Sequence, residues 1–170
     1  GSYFNRLCFV EPNGDVVYYN KRHTFTLAGE DKVYMAGSEK VIFFYKGWKI
    51  CPQICYDLRF PVFARNVEDY DLLFYVANWP KPRISAWDAL LKARAIENMS
   101  YTIGVNRVGF DANNYEYPGH SVVYDCLGNN LTDLKPYQED ITTVTLTKKH
   151  QNKYREKLQF LNDRDRFTLM

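Results

Sequence analysis

The feature that most constrains the fold is the alternation of short apolar segments with two helical stretches. The clearer helix is predicted over residues 83–100, where apolar residues recur at helical spacing and Ser85 is a candidate cap. Those apolar positions are Ile84, Trp87, Leu91 and Ala95. The second helix is predicted over residues 148–160. Strands are predicted over residues 2–10, 15–20, 40–47, 48–56, 71–80, 101–109, 120–131 and 141–147.

The segments are joined without a recognisable linker, so the pattern predicts a single α/β domain over residues 1–170. The first twenty residues predict a β-hairpin, because two apolar stretches flank the turn sequence Pro12-Asn13-Gly14. Residues 21–38 are polar and are expected to form a loop.

Composition and charge argue against two classes of partner. Hydrophobic residues make up 46% of the chain, and the formal net charge is +2. Basic residues are spread along the chain, and their one dense cluster, over residues 147–157, is typical of the solvated face of a helix. We therefore expect no nucleic-acid partner. No apolar run approaches the length of a membrane span, so we expect no membrane association.

The cysteine content is typical of a reduced, cytoplasmic protein. There are four cysteines in 170 residues and no signal-peptide pattern at the N-terminus. A secreted scaffold of this size would not depend on two disulfide bridges. The four are Cys8, Cys51, Cys55 and Cys126.

The sequence does not predict a metal site. Cys51 and Cys55 have no matching pair of cysteines or histidines downstream, as a zinc site would require. The three histidines, His23, His120 and His150, are scattered without ligand spacing.

Cys51 and Cys55 therefore need another explanation, and their positions differ. Cys51 lies inside an apolar run, where a cysteine is commonly a buried structural residue. Cys55 lies where the strand ends and a short helix over residues 61–66 is about to begin. At such a corner the thiol is exposed, and the following backbone N–H groups can stabilise a thiolate or an oxyanion. Geometry alone leaves Cys55 open between a nucleophile and a structural thiol.

Several further motifs bear on that choice, and in this order and spacing they resemble the nitrilase superfamily of carbon-nitrogen hydrolases. A C-terminal motif, "FLNDRDRF", makes the omega-amidase-like branch the best match. The resemblance extends along the whole chain. The other motifs are "YNKRHTF" at 19–25, "ICYDLRFP" at 54–61, "VANWP" at 76–80, "ARAIEN" at 93–98 and "GVNRVG" at 104–109.

The resemblance implies a fold and a chemistry. The implied fold is a four-layer α-β-β-α sandwich that pairs into a dimer, and the implied activity needs neither a metal nor an organic cofactor. By matching motif positions, Cys55 is the implied nucleophile, Lys21 the implied lysine and Glu30 the implied supporting glutamate. The chemistry is consistent, because thiolate attack on an amide places negative charge on oxygen. Lys21 and the backbone N–H of Tyr56 could stabilise that charge, and Glu30 could hold the ammonium in place.

Further residues are candidates for binding substrate. Asn78 and Trp79 end a strand beside the implied site, although a tryptophan before a proline is as often a packing residue. Arg59 and Arg107 are candidates to hold a substrate carboxylate, and either could instead be a structural brace.

Four side chains near these positions are candidates for structural roles. We expect Asp57, with Arg59, to brace the turn that carries Cys55. Arg94 and Glu97, three residues apart on the predicted helix, are expected to form a structural ion pair.

The implied function is hydrolysis of a small amide, the omega-amide of a short dicarboxylate or 2-oxo acid, through a cysteine thioester. Two alternatives stay open: a non-catalytic fragment or subunit, and a thioester-based acyl transferase. In the family, the glutamate that acts as general base lies upstream of the strand with which this sequence begins, and Glu11 belongs to a hairpin turn. We therefore expect an N-terminally incomplete family fold, inactive without the base.

Overall fold

The computed structural model describes residues 1–169 and contains nine strands and three α-helices in that range. The strands are β1 (Arg6–Val10), β2 (Val16–Asn20), β3 (Phe43–Tyr45), β4 (Trp48–Ile54), β5 (Leu72–Ala77), β6 (Tyr101–Asn106), β7 (Val108–Phe110), β8 (Glu116–Pro118) and β9 (Val122–Tyr124). The helices are α1 (Pro61–Ala64), α2 (Ile84–Asn98) and α3 (Lys148–Leu158).

The central element is a five-stranded sheet with the strand order β3-β4-β5-β6-β9. Strands β4, β5 and β6 are parallel to one another, whereas β3 and β9 pair antiparallel at the two edges. The carboxyl ends of β4, β5 and β6 therefore lie side by side, and this carboxyl edge of the sheet is where ligand sites of α/β proteins commonly lie. Cys55 and Asn78 follow β4 and β5 directly at that edge.

The predicted N-terminal hairpin is confirmed. Strands β1 and β2 pair antiparallel, with Arg6 opposite Asn20 and Val10 opposite Val16. Gly14 closes the turn with a φ of 92°, a conformation that glycine adopts without steric cost.

The sheet is covered on both faces, and β5 shows how. Alternate side chains of a strand point to opposite faces. Leu73 and Tyr75 are fully buried in a cluster that contains Trp87 of α2. Phe74 instead packs with the cluster that contains Leu7 of the hairpin. Helix, sheet and hairpin are thus successive layers, in agreement with the α/β sandwich class.

The two longer helices are attached differently. α2 packs through apolar residues, whereas α3 is held by polar contacts at the amino ends of the strands. The Gln151 amide donates to the Asp71 carbonyl at 2.8 Å, and Arg155 donates to the carbonyls of Met99 and Tyr70 at 2.7 and 2.6 Å. Among residues 1–169, no helix has both the length and the apolar character needed to cross a membrane.

One strand prediction is wrong. Residues 141–147 alternate apolar and polar side chains, yet they form no strand, and Ile141 is 94% exposed. The free edge of β9 is already occupied, because Leu131 donates its N–H to the Val123 carbonyl at 2.8 Å. Residues 141–147 therefore have no free strand edge with which to pair, although their side chains alternate. The predicted loop at residues 21–38 also contains two short 3-10 turns, Thr26–Ala28 and Glu30–Lys32.

Candidate active site

Cys55 begins a 3-10 turn, Cys55–Arg59, immediately after β4, and α1 follows at Pro61. The strand-to-helix corner predicted from the sequence is therefore present. The φ of Cys55 is 46°, which is rare and costly for a residue with a side chain. Its Sγ lies 3.9 Å from the Asn78 carbonyl oxygen at the end of β5. The turn thus holds the thiol at the carboxyl edge of the sheet in a strained conformation.

Buried Lys21 and half-buried Glu30 form an ion pair beside this edge. The side chains are 4% and 13% exposed, and Lys21 Nζ lies 2.6 Å from Glu30 Oε2. Glu30 also accepts hydrogen bonds from the Asn5 amide at 2.8 Å and from the Phe25 N–H at 2.6 Å. Burial favours the protonated form of Glu30, but the hydrogen bonds from Lys21, Asn5 and Phe25 outweigh it and hold the pKa of this carboxyl below its usual value. Glu30 is therefore ionised, and its carboxylate accepts hydrogen bonds from all three of these donors.

These groups share one cavity of about 720 Å³. Of the residues predicted from the sequence, Lys21, Glu30, Cys55 and Asn78 line it. Apolar wall residues include Phe25 and Ile54. A thiol, an ammonium and an amide thus converge on a space large enough for a small substrate.

The two cysteines of β4 and its turn have different environments. Burial raises the pKa of Cys55, the positive charge of Lys21 acts in the opposite direction, and the charges of Glu30 and Asp57 add to the increase. Burial raises the pKa of Cys51 to about 12, and its side chain is fully buried between sheet and α2. Cys51 has the environment of a structural cysteine, and Cys55 has the access that a nucleophile requires.

The remaining residues predicted to bind substrate do not line the cavity. Trp79 is buried, its indole N–H donates to the Arg83 carbonyl at 2.7 Å, and its ring packs 5.5 Å from that of Trp87. The Tyr56 ring packs 4.9 Å from Phe25. These contacts are those of packing residues, and the predicted binding roles of Trp79 and Tyr56 remain predictions.

The two predicted arginines each stack on an aromatic ring. The guanidinium of Arg59 lies 5.0 Å from the centre of the Trp79 ring, and that of Arg107 lies 5.1 Å from the centre of the Tyr117 ring. Arg107 also donates to the Phe110 carbonyl at 2.6 Å. Neither arginine lines the cavity, and a carboxylate-binding role for either remains a prediction.

Sequence reasoning missed the wall formed by the β7-β8 hairpin. Asp111 and Tyr117 line the cavity, and the Tyr117 hydroxyl donates to Asp111 Oδ2 at 2.8 Å. Asp111 also accepts the N–H groups of Asn113 and Tyr115 at 2.9 and 3.0 Å. The turn residues Asp111, Asn113 and Asn114 were a signal for a tight loop, but nothing in their spacing placed that loop opposite Cys55.

The predicted ion pair between Arg94 and Glu97 is confirmed. Arg94 Nη1 lies 2.9 Å from Glu97 Oε1, and Arg94 Nη2 donates to the Leu58 carbonyl of the Cys55 turn at 2.7 Å.

Within the part of the chain that the structure describes, no three histidine, cysteine or acidic side chains come together in a group that could hold a metal ion.

Comparison with known proteins identifies the family of the chain. The sequence profile of the family described as "Carbon-nitrogen hydrolase" matches residues 1–156. The chain belongs to this family, and its nitrilase-like α/β fold is that of the family's solved members.

Particular relatives can then be named. The chain is 46% identical to "Omega-amidase YafV" of Yersinia enterocolitica, over 98% of this chain and 65% of the relative. It is 33% identical to "2-oxoglutaramate amidase" of Bacillus subtilis, over 94% of this chain and 62% of the relative. It thus spans less than two thirds of the length of both.

A solved structure is also similar. XC1258 of Xanthomonas campestris, described as a CN-hydrolase superfamily protein with an arsenic adduct in the active site, superposes with a TM-score of 0.95 at 44% identity. The match covers 98% of this chain and 66% of that one.

Proposed function

We propose that this chain carries the nucleophile of an amidase that converts a small amide to a carboxylate and ammonia through a thioester on Cys55. The observation that carries the proposal is the shared cavity, which is lined by the strained corner at Cys55 and by the Lys21–Glu30 ion pair. The names of the relatives support the same class of reaction.

The proposed reaction has two steps. The Cys55 sulfur attacks the amide carbon, and the tetrahedral intermediate loses ammonia to leave a thioester. Water then attacks the thioester, which releases the carboxylate and restores the thiol. In both steps the charge that develops on the carbonyl oxygen is stabilised by the Lys21 ammonium and the Tyr56 backbone N–H.

The proton acceptor for these steps is proposed to be a glutamate outside residues 1–170. Two carboxylates line the cavity in the described residues, and each already accepts from three donors. Glu30 is therefore proposed to hold Lys21 in place rather than to act as the base. A base typically contributes a factor of about 10² to 10⁴, so we expect turnover to be slow unless that glutamate is supplied.

The proposed substrate is the omega-amide of a short dicarboxylate or 2-oxo acid, as the names of the relatives suggest. Its free carboxylate requires a cationic partner. Arg59 and Arg107 are the arginines predicted from the sequence, and Arg83 is a third candidate. The Arg83 guanidinium lies 5.4 Å from the centre of the Phe25 ring, and that ring lines the cavity.

We also propose a cytoplasmic homodimer that needs no cofactor. The four cysteines are all free, as expected of a reduced compartment. The dimer rests on the family resemblance.

The proposed function is tested by comparing the rates at which succinamate, 2-oxoglutaramate and uncharged aliphatic amides are hydrolysed. The assay includes the segment that carries the proposed general-base glutamate. We expect the monoamides to be preferred and Cys55→Ala to abolish hydrolysis. Cys51→Ala should retain hydrolysis and lose about 1 kcal/mol of stability from reduced packing. Arg59, Arg83 and Arg107 are each replaced by glutamine in separate variants. We expect KM for the monoamides to rise in the variant that lacks the carboxylate-binding arginine. Hydrolysis that survives Cys55→Ala would contradict the proposal.

A further inference from the structure

Asp57, two residues after Cys55, is fully buried, with an exposed fraction of 0%. A buried carboxylate is costly unless it is hydrogen-bonded or paired. The partners of Asp57 come from two separate segments of the chain, which makes this residue more than a local brace of the turn.

Each oxygen of Asp57 has two partners. Oδ1 accepts the His23 backbone N–H at 2.9 Å and lies 2.8 Å from His23 Nδ1. Oδ2 accepts the Ile54 N–H at 3.0 Å and the Tyr19 hydroxyl at 2.7 Å. Tyr19 and His23 stand on either side of Lys21, and Ile54 immediately precedes Cys55. One carboxylate therefore joins the segment that carries the lysine to the turn that carries the cysteine.

Two further contacts stiffen the lysine segment. The Tyr19 hydroxyl accepts the Arg22 N–H at 3.1 Å, so the residue after Lys21 is also held. The His23 ring stacks on Phe60 at 3.6 Å with an interplanar angle of 3°. Burial, followed by the nearby charge of Asp57, raises the pKa of Tyr19, so its hydroxyl remains a donor. Such connected networks are expected to act together rather than as independent bonds.

We propose that Asp57 is a positioning residue that sets the distance between the Lys21 ammonium and the Cys55 sulfur, and so sets the reactivity of that thiol. This inference rests on the proposed function. The link is mechanical, because Asp57 fixes backbone atoms within two residues of Lys21 and within one residue of Cys55. The link has a chemical effect because the attraction between ammonium and thiolate weakens with distance, so moving Lys21 away lowers the fraction of Cys55 that is ionised.

The test is the rate at which iodoacetamide alkylates Cys55, mapped by mass spectrometry, in Asp57→Asn and in the parent protein at neutral pH. The two effects of the substitution have opposite signs. The charge of Asp57 raises the pKa of Cys55, so loss of that charge alone would speed alkylation. Loss of positioning moves the ammonium away from the thiolate and lowers the thiolate fraction, so we expect the rate to fall by at least about tenfold. An unchanged or faster rate in a folded protein would overturn the proposal.

A double-mutant cycle separates positioning from general destabilisation. In a Lys21→Met background there is no ammonium to position and only the charge effect remains, so Asp57→Asn should leave the alkylation rate unchanged or faster by less than about threefold. An equal effect in both backgrounds would mean that Asp57 does not act through Lys21, and the proposal would fail.

Matched variants complete the experiment. Asp71 is also a buried aspartate that accepts a backbone N–H, from Lys49 at 2.8 Å, but it lies at the opposite end of the parallel strands. Asp71→Asn should reduce stability and leave the Cys55 rate within about twofold of the parent. If Asp57→Asn does not fold, His23→Phe decides in its place, since it keeps a ring against Phe60 and removes the Nδ1 contact. Because alkylation needs no turnover, failure of this inference is distinct from failure of the proposed function, which is read from hydrolysis by Cys55→Ala.

Discussion

At the scale of single residues, the chemistry depends on the different surroundings of two thiols that lie four positions apart in the sequence. Cys51 points into the apolar layer under α2, and Cys55 lines the cavity with Lys21. The family resemblance implied Lys21, Glu30 and Cys55, the end of a predicted strand suggested Asn78, and the structure brings these four to one cavity. Asp111 could not be predicted in the same way. Its loop is brought to the cavity by the order of strands in the sheet, which no local sequence pattern reveals.

The pH dependence of Cys55 follows from its surroundings. Its folded pKa is raised by burial, so the thiolate is less abundant near neutral pH than in an unstructured peptide, and alkylation should keep accelerating above the usual thiol pKa. The Lys21 charge lowers that pKa, so Lys21→Met should move the profile further toward alkaline pH. The measurement is the iodoacetamide rate at Cys55 from neutral to strongly alkaline pH. A profile unmoved by Lys21→Met would show that the ammonium does not act on the thiol.

At the scale of elements, prediction succeeded where the local pattern determines the structure. The N-terminal hairpin and the two longer helices follow from turn residues and helical spacing. Residues 141–147 were misassigned because strand formation depends on a free edge, and Leu131 already pairs with that edge of β9. The 3-10 turn that begins at Glu30 was not predicted, because a three-residue turn is too short to show a periodic pattern. Its first residue contacts Lys21.

The contact between β6 and α2 yields an element-scale prediction. A Cβ atom at Gly104 would stand 2.3 Å from Leu91 Cδ1 and 2.7 Å from Trp87 Cζ2. Gly104→Ala should therefore destabilise the protein by about 1–3 kcal/mol through overpacking. Chemical denaturation measures the change. Val105→Ala, on the exposed side of the same strand, is the control and should cost less than about 0.5 kcal/mol.

At the scale of the whole molecule, part of the sheet face opposite α2 is open. Val76 and Val105 are 38% and 51% exposed there, and a cavity of about 400 Å³ lies against β6 and β9, with Ile103 and Ile141 in its wall. The hairpin covers this face near Phe74 and does not extend over these residues. Exposed apolar surface of this kind favours association.

We expect residues 1–170 alone to associate through this face in solution. Val105→Lys should lower the average mass measured by sedimentation toward that of the monomer, because a charge cannot be buried without a partner. Val62→Lys, at a residue of α1 that is 55% exposed, is the control and should leave the mass unchanged. A preparation that is monomeric before any substitution would contradict the prediction.

The most direct test of the central claim, that Cys55 is the nucleophile facing the substrate, is mapped alkylation with and without a saturating monoamide such as succinamate. Cys8 is exposed and serves as the internal reference. The account predicts that Cys55 is labelled by iodoacetamide and protected by the monoamide, that Cys8 is labelled equally in both samples, and that Cys51 stays unlabelled. Labelling of Cys51 in place of Cys55, or labelling of Cys55 that the monoamide does not slow, would contradict it.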